Sequence, residues 1–295
     1  YTSFGRKPET AMRAALAELS VPAGHKVELP AATPYPVYID HVAALDEWDL
    51  VCESNGIDAA LLAMRALKDG GELAIYERVS ELTDRLMDRI EEGVRKGRLT
   101  TELDVALFIE KEARSAGAEG TGFETIAAGP ARSFGIHAFP GYGAGPFGTR
   151  GLSILDFGIV LDGYTSDVTM SFVRGPLSPE QDRMIELVKK AYDIGVEACR
   201  PGAAVRDVAT LVDEHFAAAG FSMPHALGHG IGLEAHEAPG LNLREGNDAI
   251  LKPGMIVTIE PGLYSPEFGG VRLENDVLIT ENGHKVLTSS RIVEL

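Results

Sequence analysis

Cysteine is nearly absent from this chain, and it has no apolar run long enough for a membrane protein. Cys52 and Cys199 are the only two cysteines in 295 residues, too few for a disulfide framework and too far apart for a Cys-x-x-Cys metal site. Two isolated thiols are typical of a reducing cytoplasm, the compartment that we expect. No stretch approaches the ~18 apolar residues of a membrane span. Residues 1–30 lack a signal-peptide core. Residue 1 is Tyr rather than Met, so a segment upstream of Tyr1 stays open.

Basic residues are also scarce: 27 Lys and Arg stand against 44 Asp and Glu, for a formal net charge of −17. A field of that sign repels phosphate groups, so we expect neither nucleic acid nor an anionic membrane as a partner. The hydrophobic share of 45% and the charged share of 24% are those of an ordinary globular protein. The acidic excess also favours divalent cations, although a solvated surface explains most of it.

The pattern of the chain changes near residue 70. Residues 1–70 hold candidate helices at Glu9–Leu19 and Asp40–Ser54 around a proline-interrupted stretch, which predicts a small N-terminal α/β appendage. In residues 71–295, a pair of helices followed by strands occurs twice. That order predicts an α+β domain in which pseudo-two-fold helices pack on a curved antiparallel sheet.

The elements of the larger region follow from apolar periodicity and capping signals. Ser178, Pro179 and Gln181 supply an N-cap, a proline in the first turn and the third residue of a capping box. These residues begin one helix, and the helix that follows it is predicted to stop at Gly220. The predicted helices are 72–96, 101–116, one from 179 and one ending before 220, and the predicted strands lie within 154–173, 254–260 and 270–280.

Two aspartates lie in a predicted hairpin. Asp162-Gly163 between apolar runs favours a two-residue turn, because type I′ needs positive φ at both positions. Pairing of the flanking residues then places Asp156 opposite Thr169, and makes Asp156 and Asp167 diagonal neighbours on one face, about 7 Å apart. Two carboxylates so close within apolar strands repel unless positive charge lies between them, and a divalent metal pair would supply it.

Two glutamates and three histidines extend this pattern. Glu260 and Glu274 each lie in or at the end of a β-type apolar run. Arg272 is two residues before Glu274, so their side chains would point to the same face of a strand, where Arg272 is expected to hold a carboxylate. His225, His229 and His236 fall within twelve positions among glycines, which permit close approach of a ligand. A lone histidine is usually structural, but this cluster favours a site, since neutral imidazole is a common metal ligand. His137, nineteen residues before Asp156, is weak evidence alone.

Together these residues resemble the pita-bread metallopeptidases, which include methionine aminopeptidase, aminopeptidase P and prolidase. The family has five metal ligands: two Asp eleven apart in a D-x-G…G-Y-x-S-D hairpin, a His in G-H-G-I-G, and two Glu about fourteen apart in I-E-P-G and R-x-E. The matching residues in this sequence are Asp156, Asp167, His229, Glu260 and Glu274. The resemblance implies the pita-bread fold over residues 71–295, with a shortened N-terminal domain or linker in residues 1–70.

The resemblance also implies a reaction. His225 points to the proline-specific branch, so we expect a peptidase that hydrolyses the Xaa-Pro bond at the N-terminus of proline-containing peptides. Gly240 stands where dipeptidases often have an Arg for the substrate carboxylate, which favours an Xaa-Pro aminopeptidase over an Xaa-Pro dipeptidase (prolidase). His236 is expected to stabilise the oxyanion, Glu260 to shuttle a proton, and His137 and His225 to hold the substrate.

Four carboxylates and one imidazole suit two Mn²⁺ or Co²⁺ ions, with Zn²⁺ or Fe²⁺ as alternatives. By resemblance, Asp167 and Glu274 bridge the ions, Asp156 completes one shell, and His229 with Glu260 completes the other. Relatives are commonly dimers, often through the N-terminal domain, so a homodimer stays open. Two further alternatives are a metal-dependent relative acting on a small non-peptide substrate, kept open by Met170 in place of a common Arg, and a non-catalytic peptide-binding pseudoenzyme. The latter is disfavoured because all five ligands are present.

Overall fold

The computed structural model describes residues 2–295, which form two compact units that divide between Met64 and Arg65. A short 3₁₀ helix lies at Thr2–Phe4. The described residues contain seven α-helices: α1 Pro8–Glu18, α2 Tyr35–Ala44, α3 Ile57–Ala66, α4 Gly70–Arg95, α5 Glu102–Ser115, α6 Pro179–Ala198 and α7 Val205–Ala218. They contain sixteen strands: β1 Lys26–Leu29, β2 Asp49–Cys52, β3 Gly120–Thr121, β4 Ile126–Ala128, β5 Gly151–Phe157, β6 Ile159–Leu161, β7 Tyr164–Thr165, β8 Val168–Arg174, β9 Gly228–Gly230, β10 Glu237–Leu241, β11 Ile256–Ile259, β12 Gly262–Ser265, β13 Gly269–Arg272, β14 Asn275–Thr280, β15 Gly283–Val286 and β16 Ile292–Glu294.

The smaller unit is a β-α-β arrangement in which β1 and β2 pair in parallel around α2. Leu29, Leu45 and Leu50 form its buried core. The predicted helix Asp40–Ser54 is wrong: α2 ends at Ala44, and β2 follows it. Pairing with β1 and burial of Leu50 make this segment a strand, in keeping with the weak helix propensity of Asp49, Val51 and Cys52.

The larger unit repeats a helix pair followed by strands, as predicted. One buried cluster packs α4 and α5 against β5 and β8, and includes Tyr76, Ile109 and Phe172. The second packs α6 and α7 against β11 and β14, and includes Val212 and Val277. Helix α6 begins with the predicted capping box, in which Ser178 and Gln181 bond each other's backbone N–H groups. Each helix pair therefore packs mainly on the strands of its own half, while Ile256 joins the first cluster and Leu152 the second.

The strands of the larger unit form several short sheets, and the class is α+β as expected. One sheet has the order β16-β8-β5-β4 and another the order β10-β9-β11-β14-β15. The larger unit is not antiparallel throughout, because β16 pairs with β8 in parallel. The two halves are joined by this pairing and also by an isolated bridge between Thr169 and Glu274. Within the described part of the chain, no helix is both long and apolar enough to cross a bilayer.

Candidate metal centre

The hairpin that carries Asp156 and Asp167 has the predicted register. Leu161 lies opposite Tyr164 in the β6–β7 pair, and Asp156 lies opposite Thr169 in the β5–β8 pair. The turn residues Asp162 and Gly163 have φ of 50° and 81°, as a type I′ turn requires. The register prediction from sequence is therefore confirmed, and Asp156 and Asp167 are both buried.

Glycine is needed where this hairpin passes the aspartates. A Cβ on Gly158 would lie 1.9 Å from the backbone oxygen of Ser166. That contact is far inside the van der Waals limit, so a larger residue would force the two strands apart. Gly158 therefore lets β6 and β7 stay close beside Asp167.

Glu260 and Glu274 come from the second half. Glu260 follows β11 directly, and Glu274 lies between β13 and β14. The Oε2 atom of Glu274 accepts a hydrogen bond of 2.7 Å from Thr169 Oγ1, across the bridge between the halves. Thr169 also lies opposite Asp156 in the hairpin register. One threonine thus links the carboxylates of both halves.

His229 faces the carboxylates from β9. Its Nε2 atom lies 3.7 Å from Asp167 Oδ2 and 3.6 Å from Glu260 Oε1. Its backbone N–H donates to Thr258 Oγ1 at 3.1 Å, which fixes β9 on β11. The ring of His236 lies with its centroid 4.2 Å from that of His229. The two histidines therefore share one side of the site.

These side chains surround a cavity of about 300 Å³, here named the carboxylate cavity. It is lined by Phe123, Ile126, His137, Asp156, Asp167, His225, Ala226, His229, His236, Glu260 and Glu274. Eight of the nine predicted site residues are on this list, and the ninth, Arg272, is buried and contacts Asp156. Phe123 and Ile126 had no sequence signal beyond their apolar character.

Arg272 forms a hydrogen bond with Asp156 and with two further side chains beside it. Its Nη2 donates to Asp156 Oδ2 at 2.5 Å, its Nε to Thr169 Oγ1 at 2.9 Å and its Nη1 to Tyr264 Oη at 2.8 Å. The other aspartate oxygen, Oδ1, is buried without a hydrogen-bond partner. Such an oxygen is costly unless a cation or donor reaches it.

Burial and mutual repulsion raise the pKa values of the carboxyl groups. Burial, and then the neighbouring Glu274, raise the pKa of Asp167 well above its usual range. Burial, and then Asp156, raise the pKa of Glu274 to about 8. Burial lowers the pKa of His229 to about 4, so its imidazole is neutral and has a lone pair to share. Ligand atoms of Asp167, His229 and Glu274 all lie within 4.8 Å of one another. This donor set and its unbalanced negative charge fit divalent cations.

Sequence reasoning missed three polar residues that support the site. Thr169 bonds Arg272 and Glu274, Thr258 bonds the His229 backbone, and Tyr264 lies with its Oη 3.0 Å from His225 Nε2. The hairpin register already placed Thr169 opposite Asp156, so its position was available. Thr258 and Tyr264 had no such signal, since their contacts depend on how separate strands meet.

Comparison with known proteins identifies relatives of the chain. Residues 74–281 match metallopeptidase family M24. The Bacillus subtilis protein described as uncharacterized peptidase YqhT is 35% identical over 259 residues, covering 87% of this chain and 70% of that protein. The Xaa-Pro dipeptidase of Pyrococcus furiosus is 36% identical over 243 residues, covering 81% and 68%. Across four curated relatives, these two among them, the chain spans 62% to 70% of the relative's own length.

Solved structures show the same fold. The X-Pro aminopeptidase of Thermotoga maritima superposes with a TM-score of 0.83 at 26% identity, over 97% of this chain and 79% of that chain. An Xaa-Pro dipeptidase from Bacillus anthracis superposes with a TM-score of 0.85 at 29% identity, over 97% and 78%. The expected pita-bread fold is confirmed. The chain belongs to metallopeptidase family M24, whose members are metal-dependent peptidases.

Proposed function

We propose that this chain is an aminopeptidase that uses two divalent ions to hydrolyse the bond before proline at the N-terminus of short peptides. One observation carries the proposal: five donors of the expected types line a single cavity, and three of them have ligand atoms within 4.8 Å of one another. Four carboxylates around so small a space repel one another unless protons or cations reduce their charge, and two divalent cations would do so.

The five donors would hold two ions. Asp167 and Glu274 would serve both ions, Asp156 would hold one of them, and His229 and Glu260 would hold the other. When bound, two such ions polarise the scissile carbonyl and activate water for attack. Oxygen-rich ligands favour Mn²⁺ or Co²⁺, with Zn²⁺ or Fe²⁺ as alternatives. The Oδ1 atom of Asp156, which is buried without a hydrogen-bond partner, would gain one from a bound cation.

The remaining residues act on the substrate. His236 is exposed at the cavity wall and donates a hydrogen bond to the oxygen that becomes negative in the transition state. Glu260 lines the cavity, where one of its carboxylate oxygens would carry a proton to the proline nitrogen. His225, held by Tyr264, and the exposed His137 orient the peptide.

An Xaa-Pro dipeptidase is the second candidate, because the Pyrococcus furiosus relative has that name. Gly240 argues against it, since glycine at this position in β10 has no side chain with which to bind a dipeptide's carboxylate. We therefore favour tripeptides and longer substrates over Xaa-Pro dipeptides.

The experiment compares two substrates on the same metal-stripped protein reloaded with Mn²⁺ or Co²⁺. Ala-Pro and Ala-Pro-Ala are supplied in parallel, release of alanine is followed, and Ala-Ala-Ala is the control for proline dependence. Metal-dependent cleavage of Ala-Pro-Ala alone supports the aminopeptidase, and cleavage of Ala-Pro supports the dipeptidase. If neither is cut while two ions bind per chain, the peptidase proposal fails and a small non-peptide substrate replaces it.

We also place the protein in the cytoplasm, because Cys52 and Cys199 are both free thiols. A homodimer is part of the same proposal. Light scattering at several protein concentrations tests it, and a mass of one chain at every concentration would contradict it.

A further inference from the structure

A second cavity adjoins the carboxylate cavity. This side cavity, of about 460 Å³, is bounded by α7, by the segment 223–227 and by the segment 242–244. His225 and Ala226 line both cavities. A peptide whose scissile bond lies among the carboxylates therefore has a second concave region next to it, of the size that small ligands occupy.

Arg244 differs in charge from everything else that lines these cavities. It is the one Lys or Arg that lines either of them, within the residues that the structure describes. The other cation near the site, Arg272, is buried and paired with Asp156. Arg244 is exposed, and across residues 2–295 no carboxylate oxygen lies within 4.0 Å of its side-chain nitrogens. Asp213 lines the same cavity without pairing with it. In a chain of net charge −17, this cation is available for an anion from outside.

The loop that carries Arg244 is fixed by hydrogen bonds. The side-chain Nδ2 of Asn247 contacts the backbone oxygens of Gly240 and Asn242 at 2.8 and 3.2 Å. The backbone N–H of Arg244 donates to Asn242 Oδ1 at 3.1 Å. These contacts hold the backbone in one turn while the guanidinium stays exposed, so Arg244 has a defined position on the cavity wall.

We propose that Arg244 binds the C-terminal carboxylate of a short Xaa-Pro-Yaa peptide, a proposal that rests on the function proposed above. A peptide that enters this acidic site brings its own carboxylate close to four others, and a cation beyond them offsets the repulsion. The planar guanidinium bonds a carboxylate through two parallel N–H groups, which also fixes its direction. Gly240 has no side chain with which to bind a substrate carboxylate, and Arg244 binds it instead, in the side cavity. It selects short peptides with a free acid end.

The test compares two substrates that differ only at their end, Ala-Pro-Ala and its C-terminal amide. Mn²⁺-loaded wild-type protein, Arg244→Gln and Arg206→Gln are measured with both. Arg206 is exposed on α7 and lines neither cavity, so its substitution controls for the loss of one charge. We expect Arg244→Gln to raise KM for the acid about 10-fold. The turnover number and all values for the amide stay unchanged, and Arg244→Lys restores part of the acid's affinity.

Two results overturn the proposal: equal changes of KM for the acid and the amide in Arg244→Gln, or no change for either. Failure of the proposed function is a different result, in which wild-type protein cuts neither peptide. Calorimetric binding of the same peptides to the same samples then decides. Tighter binding of the acid than of the amide, lost in Arg244→Gln and kept in Arg206→Gln, supports the carboxylate site. Any other pattern, including no binding, overturns it.

Discussion

Two walls of the carboxylate cavity are built in different ways. The carboxylate wall, Asp156, Asp167, Glu260 and Glu274, lies in or directly beside paired strands of both halves. In the histidine wall, His229 lies in the three-residue β9 and His236 lies directly before β10, whereas His137 and His225 lie outside the strands and not directly beside one. His137 and His236 are exposed, whereas Asp156, Asp167 and Glu274 are buried.

The difference matches the work that each wall does. Buried carboxylates must be held rigidly, because their mutual repulsion would otherwise push them apart before a cation arrives. Groups that contact a peptide must be reached from solvent, and loops on a rigid scaffold provide that access. We therefore expect substitutions in the carboxylate wall, and of the proposed ligand His229, to affect metal content, and substitutions of His137, His225 and His236 to affect turnover alone.

The largest effect is expected at the centre of the carboxylate wall. Asp167→Asn keeps the shape but removes a charge from the proposed shared ligand, so metal-dependent turnover should fall by about three orders of magnitude. Activity and metal content, the latter by mass spectrometry, are measured together. Circular dichroism of the variant should match wild type. Near-normal activity with two ions bound would remove Asp167 from the metal site.

Arg272 tests whether the rigidity of this wall depends on its buried ion pair. Arg272→Met leaves Asp156 buried and unpaired, so the metal-free protein should lose about 3–5 kcal/mol of unfolding free energy. Urea denaturation measures the loss. Adding Asp156→Asn to the same chain should recover part of it, since the unpaired charge is then gone. If Arg272→Met alone is as stable as wild type, the stability of this wall does not depend on the ion pair between Arg272 and Asp156.

His236 tests the other wall. His236→Ala removes the proposed oxyanion donor from an exposed position, so kcat should fall about 100-fold while metal content and stability stay unchanged. His25→Ala, exposed in the smaller unit, is the matched control. Loss of bound metal in His236→Ala would contradict the division of labour between the walls.

A smaller effect is expected in the pH dependence of metal-free stability. The pKa of Glu274 is raised from its usual 4.5 to about 8, so its folded form favours the proton. Its contribution to stability is complete below pH 4.5 and is lost as pH rises to 8. Tm in a chelator should therefore fall over that range less steeply in Glu274→Gln than in wild type. Equal slopes, with exposed Glu267→Gln as control, would show that this carboxyl does not titrate as described.

Sequence reasoning named the side chains of both walls, but it predicted the geometry of only the aspartate hairpin, for a physical reason. A two-residue turn and the two-residue strand period fix which side chains share a face, so Asp162-Gly163 alone placed Asp156 opposite Thr169. No such rule relates a loop residue to a distant strand, and the contact of His225 with Tyr264 needed the structure.

The wrong helix in the smaller unit has the same cause. The four residues of β2 are too few to mark a strand by their pattern alone, and their pairing with the distant β1 is what defines it. The sequence also could not predict the side cavity, because Arg244 and Asp213 line it from a loop and a helix whose sequences share no pattern. Local rules predict geometry within one hairpin or helix, and tertiary pairing decides the rest.

The measurement that tests the central claim most directly is a metal titration of activity. Metal-stripped protein receives Mn²⁺ in steps, and cleavage of Ala-Pro-Ala and bound metal are measured on the same samples. We expect no turnover without metal and a plateau at two ions per chain, the number that the five donors fit. Full turnover in the stripped protein would contradict the claim that the two walls together form a dinuclear hydrolytic site.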